Sequence, residues 1–146
     1  MKRIFLDSSV LIAAVGSKYG ASGLIISHCA KGTIEGFISK YVYEEVRNNI
    51  AKKFSETEKK RLNHILIRGC LKVIDNPHIL NIKEYRDIIS DKDIPILAAA
   101  HILHVDYLIT HNTKDFMKQD VRKRVHPIQV LTPKKFLHLV EKQIGR

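Results

Sequence analysis

The chain has 146 residues, 45% of them hydrophobic, which suits one domain over residues 1–146 with a core that is stable without disulfide bonds or other cross-links. Its two cysteines form no CxxC pair and no stretch approaches the roughly 20 apolar residues of a membrane helix, so we expect no disulfide framework, no structural zinc and no membrane span. The net charge of +10, from 25 basic and 15 acidic residues, favours a polyanion partner such as nucleic acid, although a generally basic surface would also produce it.

Short apolar runs alternate with helical patterns along the chain. The predicted strands are 3–7, 36–39, 71–74, 107–110 and 126–131. The predicted helices are 8–14, 21–30, one that starts after Ser39, one opened by the capping-box pattern at 55–58, 81–90, 93–103 and one that starts at 132–133. Because helices separate the strands, we expect a parallel sheet with helices on both faces.

Four acids map to one end of this predicted sheet, outside the carboxyl ends of the strands, where such folds gather their functional site. They are Asp7 at the end of strand one, Glu45 one turn into the helix after strand two, Asp93 at the start of the helix before strand four, and Asp115 after strand four. Crowded carboxylates repel one another, and Mg²⁺ or Mn²⁺ offsets that repulsion through oxygen ligands. Because such ions activate water for phosphodiester cleavage, the pattern predicts a metal-dependent nuclease.

Each acid also has a purely structural interpretation. Asp7 follows a strand and could cap the next helix, and Asp91, Asp93 and Asp115 could do the same for theirs. Glu45 could pair with a lysine at a helix interface. The metal-site interpretation therefore depends on the acids meeting at one end of the sheet, because none of them is specific alone.

Basic residues are concentrated near the end of the chain. Residues 121–146 hold a single acid, Glu141, and seven basic residues, Arg122, Lys123, Arg124, Lys134, Lys135, Lys142 and Arg146. Such a segment would hold a phosphate backbone near an otherwise repulsive acidic site, with Lys114 as a further contact; a solvated surface is the alternative. His101 and His104 lie three residues apart without an HExxH motif, so no histidine metal site is predicted.

Four stretches, taken in order and spacing, resemble the PIN-domain nucleases from residue 3 to about 130: 5–12 (FLDSSVLI), 39–46, 93–100 (DIPILAAA) and 106–116. The resemblance implies a three-layer α/β/α fold with a five-stranded parallel sheet and a Mg²⁺- or Mn²⁺-dependent ribonuclease. It also implies that Asp7, Glu45 and Asp93 bind metal, that a fourth acid follows strand four, and that the Thr110 hydroxyl supports the site. Many small members that look like this chain are toxins of VapBC-type toxin–antitoxin pairs, which implies an antitoxin partner and a homodimer.

The chain departs from the family pattern at two positions. The first motif usually carries Asn where this chain has Ser9, and many members have an acid where it has Asn112. A serine is shorter and makes the same hydrogen-bonding role less secure. We therefore expect Asp115 to be the fourth acid, with Asn112 as an auxiliary ligand through its carbonyl oxygen and Asp91 as an outer acid.

The predicted function is a cytoplasmic endoribonuclease that uses metal-activated water to cut single-stranded or locally unpaired RNA. The first alternative is a PIN-fold RNA-binding module with weak or no catalysis, which Ser9 and Asn112 leave open. The second is a phosphoacceptor signalling domain, which also uses a strand-end Asp, a Thr such as Thr110 and a Lys such as Lys114. That domain needs an acceptor Asp after strand three, where this chain has 75–77 (DNP), and it has no use for Glu45.

Overall fold

The structure, a computed structural model, describes residues 1–143 and the side chains of all of these except Ile79 and Asn81. Arg146, counted above in the basic C-terminal segment, lies outside the described residues. The strands are β1 (Lys2–Leu6), β2 (Ile34–Ser39), β3 (Lys72–Ile74), β4 (Tyr107–Ile109) and β5 (Gln129–Leu131). The helices are α1 (Ser8–Gly16), α2 (Ala21–Ala30), α3 (Lys40–Lys53), α4 (Glu56–Arg68), α5 (Ile79–Lys83), α6 (Ile94–Leu103), α7 (Thr113–Phe116), α8 (Gln119–Val125) and α9 (Pro133–Gln143).

The five strands form one parallel sheet in the order β3-β2-β1-β4-β5, which confirms the predicted three-layer α/β/α fold. Because crossovers between parallel strands are right-handed, the helices before β3 cover one face and those between β3 and β5 cover the other. The central strand β1 pairs with β2 on one side and with β4 on the other. Strand order therefore reverses between β1 and β4, and a crevice opens at the carboxyl ends of these two strands.

The hydrophobic core lies on both faces of β1. Ile4, Phe5 and Leu6 are fully buried, and α6, predicted to be central, buries an unbroken apolar run from Ile96 to Ala100 as well as Ile94. Burial on every side explains why these segments read as continuous apolar runs rather than amphipathic ones. Within residues 1–143 no single helix is long and apolar enough to cross a membrane, although the bent pair α1 and α2 passes a test of length and composition together.

Three elements differ from the sequence-based prediction. The helix predicted over 81–90 is only α5, because residues after Lys83 form turns in which Tyr85 donates to the Ile82 carbonyl. The strand predicted from residue 126 begins at Gln129. Helix α8 was not predicted. Its two buried residues, Val121 and Val125, lie on either side of three exposed basic residues, so the sequence shows no clear amphipathic pattern there.

The two cysteines have opposite surroundings, which gives a simple test of the packing. Cys29 on α2 is buried, and burial, helped by the nearby Cys70 thiol, raises its pKa to about 12, whereas Cys70 is exposed. Only a thiolate reacts, so at about pH 8 we expect an aromatic disulfide reagent to label one thiol in the folded chain and two in denaturant. Cys70→Ser should abolish labelling of the folded protein and Cys29→Ser should not; rapid labelling of Cys70→Ser would contradict this packing.

Candidate active site

Asp7 stands at the crevice, directly after β1. Its backbone N–H donates to the Ile109 carbonyl of β4 at 3.0 Å, so the hydrogen bonding between β1 and β4 extends to Asp7 and fixes its backbone. The side chain is only 4% exposed, and its Oδ2 accepts hydrogen bonds from Thr110 Oγ1 at 2.6 Å and Ser9 Oγ at 2.9 Å. Asp7 occupies the N-cap position of α1, but its carboxylate makes no capping hydrogen bond. The carboxylate is therefore held by hydroxyl groups and is not used to cap the helix.

Glu45 is brought to Asp7 by helix α3. That helix begins as predicted at Ser39, whose hydroxyl accepts a capping hydrogen bond from the Val42 N–H at 3.2 Å. Glu45 is half-buried, and Ser8 Oγ donates to its Oε1 at 2.8 Å while lying 3.3 Å from Asp7 Oδ1. Because a hydroxyl carries one proton, Ser8 links the two carboxylates from between them and donates mainly to Glu45.

Asp93 lies in the turn that opens α6, and its side chain is nearly buried, at 7% exposure. It occupies the N-cap position but makes no capping hydrogen bond; its Oδ2 instead accepts from Ser90 Oγ at 3.0 Å. The neighbouring Asp91 is exposed. Of the two acids in this turn, Asp93 is therefore the one directed into the protein.

The segment after β4 places Asn112 and Asp115 beside Thr110. The Asn112 N–H donates to Thr110 Oγ1 at 2.9 Å, so the hydroxyl that donates to Asp7 is itself held by the following loop. Asn112, not Asp115, caps α7: its Oδ1 accepts from the Asp115 N–H at 3.3 Å, and its Nδ2 donates to Asp115 Oδ2 at 3.1 Å. The asparagine thus orients the half-buried Asp115 carboxylate.

The acids influence one another electrostatically. Burial, reinforced by the charges of Asp7 and Asp93, raises the pKa of Glu45 above its usual range. Burial, reinforced by the charges of Asp7 and Asp115, likewise raises the pKa of Asp93, and Lys92 partly offsets both shifts. Among residues 1–143 none of the four predicted acids forms a salt bridge with a Lys or Arg. The crevice is therefore a group of carboxylates that repel one another and that form no ion pair with a basic side chain among the described residues.

The donor set fits a hard divalent cation. The side chains that surround the crevice offer carboxylate and hydroxyl oxygens, which Mg²⁺ and Mn²⁺ prefer. In the part of the chain that is described, no three Asp, Glu, His or Cys side chains are gathered in the geometry of a formed metal centre. The hydroxyls of Ser8, Ser9, Ser90 and Thr110 donate to these carboxylates, which keep further lone pairs with which to bind an ion.

The predicted RNA-binding residues lie at different distances from the acids. Lys114 is exposed on α7 next to Asp115, at the crevice. Arg122, Lys123 and Arg124 lie exposed on α8. Arg124 donates to the Glu84 carbonyl, and burial together with the charges of His104 and Arg124 lowers the pKa of His101. His101 lies about two helical turns along α6 from Asp93. The structure therefore brings Lys114 to the acids and leaves Arg124 away from them, in a contact between α8 and the turn after α5.

Four residues near the acids were not predicted from the sequence: Ser8 as a link between carboxylates, Ser90, Lys92 and Tyr41. His111 is a further neighbour, since its N–H donates to Ser9 Oγ at 3.1 Å and its Nε2 lies 3.2 Å from the buried Ser22 Oγ. Ser8, Ser90 and Lys92 lie within three residues of an acid, so their positions in the sequence gave a local signal. Tyr41 and His111 instead reach the site from segments that are distant in sequence from their partners.

A parallel sheet of this order, with acids gathered where the strand order reverses, defines the class of α/β proteins to which PIN domains belong. The family model described as a PIN domain matches residues 3–114, and the chain belongs to the PIN domain family.

Solved structures that share its fold include chains of two VapBC proteins. VapBC2 from Rickettsia felis, bound to a DNA fragment from its promoter, has a chain with 22% identity and a TM-score of 0.68, over 89% of this chain and 98% of that one. VapBC-1 from nontypeable Haemophilus influenzae has a chain with 18% identity and a TM-score of 0.60, over 90% of this chain and 98% of that one. No curated protein matches the chain. The family model confirms the resemblance to PIN domains stated from the sequence, and the two likenesses confirm the fold.

Proposed function

We propose that this protein is a metal-dependent endoribonuclease, a single nuclease domain over residues 1–146 that hydrolyses RNA phosphodiester bonds. The observation that supports this most strongly is the cluster of coupled acids at the crevice between β1 and β4, which has no salt bridge to a basic side chain within residues 1–143. Nuclease activity is typical of the family, and a net charge of +10 suits an RNA partner.

In this proposal Asp7, Glu45, Asp93 and Asp115 hold Mg²⁺ or Mn²⁺, with Asn112 as an auxiliary ligand and Asp91 as an outer acid. When bound, such an ion activates water and neutralises charge that develops on the phosphate. The hydroxyls of Ser9 and Thr110 fix the orientation of the Asp7 carboxylate, and outer partners of this kind commonly tune metal affinity by ten- to a hundredfold, as an order of magnitude. The hydrogen bond from Ser9 to Asp7 supports Ser9 in the role that an Asn fills in most of the family.

The acidic crevice repels an RNA backbone unless basic groups hold the phosphates nearby. We propose Lys114 as the contact closest to the acids, because it lies exposed on α7 beside Asp115. Arg122, Lys123 and Arg124 on α8 extend the proposed RNA-binding surface. Phosphate contacts of this kind position the substrate without reading its sequence, so their loss should weaken binding to all RNAs alike.

We also propose a biological setting. The likeness of fold to chains of VapBC2 and VapBC-1 supports a toxin of a toxin–antitoxin pair, with a cognate antitoxin as partner. We further propose a homodimer in the cytoplasm, a reducing compartment in which free thiols such as Cys29 and Cys70 persist. Co-expression with the product of an adjacent short gene, followed by light scattering of the purified sample, tests partner and oligomeric state together.

The activity is tested with end-labelled single-stranded RNAs in the presence of Mn²⁺, Mg²⁺, Ca²⁺ or a chelator. We expect cleavage with Mn²⁺ or Mg²⁺, products that carry a 5′-phosphate, and none with the chelator; single-stranded DNA and duplex RNA of the same sequence are the matched substrates. Cleavage that survives chelation would contradict the proposed metal dependence. Retention of RNA in a gel shift without cleavage under any ion would favour the alternative, an RNA-binding module without catalysis.

A further inference from the structure

Tyr41, in the first turn of α3, joins three segments that surround the acids. Its hydroxyl donates to the Lys92 carbonyl at 2.7 Å, and its backbone N–H donates to Asn76 Oδ1 at 2.7 Å. Its ring is half-buried and packs against the hydrophobic core. The preceding residue, Lys40, forms a salt bridge with Asp75 at 2.8 Å. The start of α3 is thereby tied both to the segment after β3 and to the turn before α6.

The hydroxyl of Tyr41 connects the parts of the chain that carry two of the acids. Glu45 lies four residues after Tyr41, one helical turn along the same side of α3. Lys92 directly precedes Asp93, so one hydrogen bond spans 51 positions and links the Glu45 helix to the Asp93 turn. Burial and the charges of Glu45, Asp93 and Asp7 raise the pKa of Tyr41, so its phenol stays protonated and remains a donor.

The other restraints on this turn are local. Ser90 Oγ donates to Asp93 Oδ2, and the N–H groups of Asp93 and Ile94 both donate to the Ser90 carbonyl. Among hydrogen bonds between described residues, only that from Tyr41 reaches residues 90–93 from outside the turn and α6. Repulsion between like charges favours movement of Asp93 away from Glu45 and Asp7, and the Tyr41 bond opposes this movement.

We propose that Tyr41 is a positioning residue of the proposed metal centre, whose hydroxyl ties the turn that carries Asp93 to the helix that carries Glu45 and so limits how far Asp93 moves away from the other acids. The inference rests on the proposed function, because it concerns the same acids. Tyr41 contacts neither substrate nor ion in this role; it acts through the backbone of Lys92. Its loss should therefore weaken ion binding without weakening RNA binding.

The test compares Tyr41→Phe with Tyr43→Phe. Both tyrosines lie on α3 with half-buried rings, but no hydrogen bond of the Tyr43 hydroxyl occurs within residues 1–143, which makes it a matched control. Mn²⁺ affinity is measured by electron paramagnetic resonance of the free ion, independently of activity. A single hydrogen bond corresponds to about a fivefold change in affinity, so we expect Tyr41→Phe to bind Mn²⁺ about fivefold more weakly and Tyr43→Phe to match the wild type.

Kinetics separate positioning from a general loss of structure. In Tyr41→Phe we expect kcat to fall at limiting Mn²⁺ and to recover at saturating Mn²⁺, with the KM for RNA unchanged and a thermal midpoint close to that of Tyr43→Phe. Wild-type protein that binds no Mn²⁺ would refute the proposed function itself. Wild-type binding with equal affinity in Tyr41→Phe, or an equal loss in both variants, would overturn the role of Tyr41 alone. A Tyr41→Leu variant that binds Mn²⁺ as Tyr41→Phe does would assign the effect to the hydroxyl and not to the ring.

Discussion

Replacement of Asp7 by Asn should reduce metal-dependent RNA cleavage by on the order of a hundredfold or more while the protein remains folded. The change removes the negative charge at the centre of the acid cluster. The fold should tolerate it because an amide oxygen in place of Oδ2 still accepts from Thr110 and Ser9, and an amide nitrogen in place of Oδ1 can donate to Ser8 Oγ. The loss would therefore report chemistry rather than packing.

The same substitution at Asp106 provides the control. Asp106 precedes β4 at the opposite end of the sheet, where its Oδ2 accepts from the Arg3 N–H at 2.9 Å, a bond that Asn can also make. We expect Asp106→Asn to cleave RNA at the wild-type rate, and both variants to keep the wild-type circular dichroism spectrum. If Asp7→Asn and Asp106→Asn cleaved equally well, the acids at the crevice would have no part in the activity.

Replacement of Gly23 by Ala should destabilise the fold by roughly 3 kcal/mol, the upper range for forcing extra atoms into a packed site. A Cβ at this position would lie 2.5 Å from the carbonyl carbon and 2.7 Å from the Cα of Lys18, and closer still to the carbonyl oxygen. These are backbone atoms, which cannot rotate aside as a flexible side chain does. The approach of α2 to the turn after α1 is therefore possible only with glycine.

The matched control is Gly16→Ala, because a Cβ on Gly16 at the end of α1 would meet no atom within 4 Å. Alanine is the better helix former by about 0.5–1 kcal/mol, so this variant should be as stable as the wild type or slightly more so. Urea unfolding at a fixed temperature measures both free energies. Similar unfolding midpoints for the two variants would mean that α2 does not pack as closely as the structure has it.

The sheet could be predicted from the sequence because its strands are apolar runs separated by clear helix boundaries, and β1 is the clearest case. Elements that depend on tertiary packing could not be predicted from the sequence. The chain after Lys83 forms turns where the sequence pattern predicts a helix, and α8 buries only Val121 and Val125 behind three exposed basic residues. In both places local propensity says little about which face meets the core.

The acids could be predicted because each stands beside the end of a strand or the start of a helix, positions that the parallel topology brings to one edge. Their hydrogen-bond partners were harder to predict. The Tyr41 hydrogen bond joins residues 51 positions apart. Its acceptor is a backbone carbonyl, which every residue has, so the residue type at position 92 does not indicate the bond. Asn112 remains a proposed auxiliary ligand, and that its amide also caps α7 and holds Asp115 is a role that only the loop geometry reveals.

The central position of β1 has a consequence for the synthesis of the protein. Asp7 leaves the ribosome well before Thr110, which holds its carboxylate and is added 103 positions later. Strand β1 cannot complete its pairing until β4 has emerged, so this long-range pairing forms only late in synthesis. A nascent chain therefore lacks an assembled acid cluster for most of its translation. For the proposed ribonuclease, this order of synthesis means that cleavage would begin only after β4 has emerged and paired with β1.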